Sequence, residues 1–127
     1  MRGQDIFEIA MDLCALRSGE GALPADTKDL KARSVGLLNV LMGELHGLEE
    51  QLTGRICPYI CIHSLEESIP LCDGLCTAVL PYRLAALLIA EEDRELYRLL
   101  ISHSEQAVKE LTTRGISRTH GILEVYG

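Results

Sequence analysis

Residues 38–52 read Leu-Asn-Val-Leu-Met-Gly-Glu-Leu-His-Gly-Leu-Glu-Glu-Gln-Leu. The leucines Leu38, Leu41, Leu45, Leu48 and Leu52 step by 3, 4, 3 and 4. That spacing puts all five on one side of a helix, as a seam that faces another helix. Asp26 is a fair N-cap for this element, and Gly54 is a natural C-cap. Gly36, Gly43 and Gly47 fall inside the helix, where each costs up to ~1 kcal/mol relative to alanine. Their expected use is to let a neighbouring backbone come close.

Helical periodicity extends outward on both sides. Ile6, Ile9, Ala10, Leu13 and Leu16 form an apolar stripe widened by Phe7 and Cys14. Asp5 followed by Glu8 resembles a capping box. Ser18-Gly19-Glu20-Gly21 should stop this first helix, and residues 22–25 with Pro24 should link it to the second. Beyond Gly54, residues 55–63 (Arg-Ile-Cys-Pro-Tyr-Ile-Cys-Ile-His) hold Pro58 and β-branched side chains, which predicts an extended crossing segment. Ser64 and Glu67 predict a capped short turn of helix before Pro70. Leu71 to Glu92 is apolar nearly all round and should be the buried centre, divided by Pro81 near Val79 and Leu80. Asp93 should open the last helix, with Leu96, Leu100, His103, Ala107 and Leu111 on its inner stripe and Gly115 at its end. The fold expected is all-α: a compact bundle of about four helices over residues 1–115, with an extended crossing segment and an extended C-terminal tail over 116–127.

Composition narrows the function classes. The 127 residues are one domain's worth of chain, 47% hydrophobic and 24% charged, which is ordinary for a globular protein. A net charge of -7 leaves little to gain from counterion release, so sequence-specific or nonspecific nucleic-acid binding is not expected. Four Tyr, one Phe and no Trp are thin for a base-stacking platform. The start, Met-Arg-Gly-Gln-Asp-Ile-Phe-Glu, has no apolar core of a secretory signal. The greasiest stretch, 78–90, is broken by Pro81 and Arg83 and falls short of the ~20 apolar residues of a membrane span. Cys14, Cys57, Cys61, Cys72 and Cys76 make an odd set, expected as reduced thiols in a cytoplasm.

Two clusters invite chemistry. Cys57, Cys61 and His63 with Cys72 and Cys76 could supply a tetrahedral metal site or a redox pair. The x3 spacing argues against this, since zinc knuckles use x2 and Pro58 sits inside the first pair. Buried thiols are the simpler reading. Glu91-Glu92-Asp93 is an acidic run whose default is a solvated helix start. Glu49-Glu50 and Glu66-Glu67 read as ordinary exposed charges. No phosphate-binding loop, nucleophile elbow or dinucleotide fingerprint occurs, so no enzyme, cofactor or small-molecule substrate is expected, although a triad can assemble through space.

Ala-Arg-Ser-Val-Gly-Leu-Leu-Asn-Val-Leu-Met-Gly-Glu-Leu (32–45) is similar to the LLN-L-x-x-EL helix of small tailed-phage and prophage proteins. Val-Leu-Pro-Tyr-Arg-Leu-Ala-Ala-Leu-Leu-Ile-Ala-Glu-Glu-Asp (79–93) resembles their LPYGLAA-x-L-x-x-EED helix, and Leu123-Glu124-Val125-Tyr126-Gly127 resembles their ending. The chain thus resembles the small α-helical head–tail connector, or adaptor, proteins of siphophages, often carried in prophages of Gram-positive bacteria. Two departures stand out. Arg83 replaces the small residue after Pro-Tyr, and Leu99, Leu100, Ile101, Ser102 and His103 replace an aromatic-rich helix end. The resemblance implies a homo-oligomeric ring below a portal, with portal and tail proteins as partners, in the cytoplasm of a bacterial host or in a virion. Extended segments at 55–63 and 116–127 would order against neighbours, with Pro81, Tyr82, Ile116, Ile122, Val125 and Tyr126 as the expected contact residues. The alternative is a small cytoplasmic binding or metal/redox module using Cys57, Cys61, Cys72 and Cys76.

Overall fold

The computed structural model describes the backbone of residues 1–15 and 27–126 and the side chains of residues 1–15 and 28–114. Among the described residues, five helices run in chain order: α1 (Gly3–Ala15), α2 (Thr27–Thr53), α3 (Asp73–Ala78), α4 (Leu80–Ile89) and α5 (Arg94–Tyr126). The all-α bundle expected from periodicity is the architecture found, with no strand among the described residues. The stop after α1, its linker and the Asp26 cap lie outside the described residues.

α4 is the hub, because all of α1, α2, α3 and α5 pack on it. Its sequence explains the position: Leu80, Leu84, Ala85, Ala86, Leu88 and Ile89 are all buried, while the side carrying Arg83 and Leu87 stays half-buried. Each large side chain fully removed from water contributes about 1.5–3 kcal/mol. The division at Pro81 falls at Val79, which is at once the last cap of α3 and the first of α4. Pro81 then sits in the first turn of α4, where a missing amide costs nothing because no intrahelical acceptor faces it.

The leucine seam of α2 turns inward as expected. Leu38, Leu41 and Leu45 are buried, and Leu48 and Leu52 are half-buried against the core. Gly54 ends the helix at φ +71, a conformation that suits glycine, and its amide donates to the Glu50 carbonyl at 2.9 Å. The internal glycines are not close-approach sites for another backbone. A Cβ at Gly36 or Gly47 would meet nothing, and one at Gly43 would meet only the Tyr59 ring.

Three local expectations shift. Asp5 is not the N-cap of α1. It lies inside the first turn and its Oδ2 accepts from the Arg2 amide at 3.0 Å, the reach-back half of a capping pair. His103 is exposed, and the inner stripe of α5 runs through Ser104 instead. Adjacent helical positions differ by ~100°, so only one of the two can face the core, and the smaller one does. Ser104 is satisfied there, donating to the Ile101 carbonyl at 2.8 Å. The third shift concerns the tail. Gly115 does not end α5, and the segment 116–126 is helical rather than extended. A glycine terminates a helix when it turns left-handed, as Gly54 does. One that keeps helical dihedrals costs only about 1 kcal/mol, which a long helix absorbs.

Residues 55–62 are neither helix nor strand and connect α2 to the turn that follows. Residues 63–67 form a turn rather than a turn of helix, but Glu67 does close it. Its Oε2 accepts from the His63 amide at 2.6 Å and from the Ser64 amide at 2.8 Å. These bonds stabilise the ionised carboxylate and hold it below the usual carboxylate value. The N-terminal residues pair with the stretch around this turn. The Ile69 amide donates to the Met1 carbonyl at 2.8 Å and the Gln4 amide to the Leu65 carbonyl at 2.7 Å.

Candidate functional site

The crossing segment lies along α2, anchored at its end by buried Ile62 and held along the rest by side-chain hooks. Asn39 grips Ile62 on both sides, Nδ2 donating to its carbonyl at 2.9 Å and Oδ1 accepting from its amide at 2.8 Å. The Tyr59 hydroxyl donates to the Asn39 carbonyl at 2.7 Å. Glu50 accepts from the Cys57 amide at 3.1 Å, and Glu49 from the Cys72 amide at 2.8 Å. Glu49 is buried, which corrects the reading of it as an ordinary exposed charge. A charge-assisted bond to a backbone amide offsets part of the cost of burying that carboxylate.

What the hooks leave outside is apolar. Ile56 is 94% exposed, Ile60 52% and Tyr59 49%, and Val40 of α2 is exposed as well. Among the described residues, no backbone-to-backbone bond pairs residues 55–62 with another segment. A stretch without backbone pairing to another segment and with isoleucines in water is an exposed apolar patch.

A second feature is a groove of about 330 Å³ between α2, α4 and α5, lined by Leu41, Glu44, Arg83, Leu87, Tyr97, Ile101 and Glu105. Arg83 is half-buried and fixed, its Nε donating to Ser104 Oγ at 3.2 Å. The groove therefore has an apolar floor and a charged rim. The signal for it in the sequence was Arg83 itself, standing where the resembling helix has a small residue. Glu44 and Glu105 carried no signal, because nothing in the chain says that they meet.

The expected contact residues divide by position. Pro81 is fully buried within the subunit, so its role here is packing. Tyr82 is half-buried, with its ring 4.0 Å from that of His103. Ile116, Ile122, Val125 and Tyr126 lie on α5, with side chains outside the described set. The cysteines divide too. Cys14 and Cys76 are buried, donating to the Ala85 carbonyl at 3.5 Å and the Leu71 carbonyl at 3.4 Å. Burial pushes both thiols up to about 11, and it pushes the Cys72 thiol up as well. Cys61 is exposed, against the expectation of buried thiols throughout, and Cys57 is half-buried. His63 is exposed on the turn. Among the described residues, no group of three or more His, Cys, Asp or Glu is placed to hold a metal ion.

Asp93 caps α5 with Oδ1 accepting from the Leu96 amide at 3.0 Å, so the acidic run is a helix start, but Asp93 itself is buried, which corrects the reading of the run as solvated. Among the described residues, no helix is long and apolar enough to cross a membrane. Compared with known proteins, the chain matches no family description, no curated protein and no solved structure. The class established is therefore that of the fold, an all-α bundle built around one central helix.

Proposed function

We propose that this chain is a structural assembly subunit of the phage or prophage head–tail connector type, acting through protein contacts and not as an enzyme. The observation that supports this most is the crossing segment. Ile56, Tyr59 and Ile60 are kept out of the core by hooks that fix the backbone in place. A protein that worked alone would gain by folding such side chains inward, whereas an assembly subunit keeps them ready for a neighbour. The resemblance adds to this reading. Its two stretches fall on α2 and on α4 up to the Asp93 cap of α5, and these two helices pack on one another.

The test is to co-express the full chain with the portal protein encoded in the same gene neighbourhood and to measure the mass of the product. A joint particle is expected, weakened by Ile60→Asp on the exposed face. A neighbourhood without portal or capsid genes, together with a chain that stays apart from portal rings, overturns the reading.

A further inference from the structure

The groove between α2, α4 and α5 is long and narrow. Along α5 its lining runs from Tyr97 to Glu105, about 12 Å at ~1.5 Å per residue. Its volume of about 330 Å³, spread over that length, leaves a cross-section of roughly 27 Å². A helix with its side chains is ~10 Å across and needs about three times that area. The groove therefore admits a row of side chains and not the body of a helix. Two turns of a helix lying over it present such a row at i, i+4 and i+7, which spans ~10 Å.

Its chemistry selects what that row can be. Leu41, Leu87 and Ile101 make the lining apolar, while Glu44 on α2 and Glu105 on α5 stand exposed at the rim. Arg83 of α4 is fixed through Nε on the fully buried Ser104. Among the described residues, neither carboxylate nor this guanidinium takes part in an ion pair. Two anions against one cation leave one negative charge in excess, and a single basic side chain cancels it. An acidic entrant would meet Glu44 and Glu105 as like charges. A wholly apolar one would strip water from both and give nothing back.

We infer that this groove receives one face of an amphipathic helix from a partner protein, with apolar side chains on its floor and an arginine or lysine at Glu44 and Glu105. This rests on the assembly reading above and names the chemistry of the partner. It is a contact surface separate from the crossing segment. At ~100° per residue, Leu41 and Glu44 lie on the opposite side of α2 from Asn39 and Glu50, which hold that segment.

The test is a display library of helical peptides of about 16 residues, long enough to hold a helix, with one face randomised and selected on the full chain. The peptides recovered should carry apolar residues one turn apart and a lysine or arginine one turn beyond. By fluorescence anisotropy, Glu44→Lys and Glu105→Arg should each weaken a recovered peptide about tenfold, and glutamate in place of its basic residue should restore binding to Glu105→Arg. Glu110→Arg changes the net charge equally outside the groove, and Ile60→Asp alters the other surface. Both should leave the affinity unchanged. Circular dichroism checks that each variant keeps its helices. Recovery of no peptide, recovery of acidic ones, or binding that ignores both groove reversals overturns the inference. Portal binding is scored separately. Peptides held in the groove of a chain that ignores the portal keep this contact and sink the connector reading. A portal complex that both groove reversals leave intact, with no peptide recovered, does the reverse.

Discussion

α4 and the crossing segment are held by opposite means. α4 is buried over most of its surface, and its stability is spread over many apolar contacts that no single atom decides. The crossing segment 55–62 is mostly exposed and depends on a few discrete hydrogen bonds from Asn39, Glu50 and Tyr59. The first arrangement tolerates no polar intrusion but needs no particular partner atom. The second fails if one hook is removed, yet it leaves the outer face free for a neighbour. One chain thus separates the part that makes it fold from the part available for binding.

Thiol reactivity should separate the two regions most widely. At pH 8 a thiol with a pKa near 11 is about one part in a thousand thiolate, and burial slows it further. Exposed Cys61 on the crossing segment should react first with a soluble disulfide reagent. Cys14 and Cys76, buried and with pKa pushed up to about 11, should react at least ~10³-fold more slowly, as global opening allows. Equal rates for all five thiols would erase the distinction.

Leu84→Ala, at a fully buried position of α4, should cost about 2–5 kcal/mol of unfolding free energy in urea melts. Asn39→Ala removes both bonds to Ile62 and should cost less, about 1–3 kcal/mol. Its signature is local: amide exchange at Ile62 should rise while that of α4 changes little. If α4 exchange rises equally, the crossing segment is part of the core and not a layer upon it.

Gly47→Ala adds a methyl where nothing stands within 4 Å, inside a helix. It should stabilise the isolated subunit by about 0.5–1 kcal/mol, read as a raised urea midpoint. The smallest effect belongs to the turn. Glu67 has its carboxyl held below the ordinary value of 4.5, first by the His63 amide and then by the Ser64 amide. A depressed folded value contributes stability above the unfolded value, and that contribution disappears as pH falls through the folded one. The His63 and Ser64 amide resonances should therefore move in a single titration centred below 4.5. In Glu67→Gln that titration should be absent, and a midpoint at or above 4.5 in the parent chain would contradict the bonds.

Much of the fold was legible because periodicity reports burial directly. The α2 seam, the buried centre, its division at Pro81 and the crossing segment all come from spacing and from proline. Legibility failed where two neighbouring positions competed for one face, as with His103 and Ser104. It failed again where glycine had two possible conformations, as with Gly115 and Gly54. Glu49 was misread because its charge type suggests water, while its partner, the Cys72 amide, lies 23 residues away. The candidate site was less legible than the fold. Arg83 drew notice as a departure, but Glu44 and Glu105 come from separate helices and carry no local signature.

The sequence by itself determined that the chain is helical, that the stretch 71–92 holds its buried centre and that residues 55–62 form no helix, since these rest on side-chain period and proline chemistry within short windows. Only the tertiary structure decided which carboxylates are buried, which isoleucines stay in water, and that α2, α4 and α5 leave a charged groove between them. Those outcomes depend on distances between residues far apart in the chain, which local spacing does not encode.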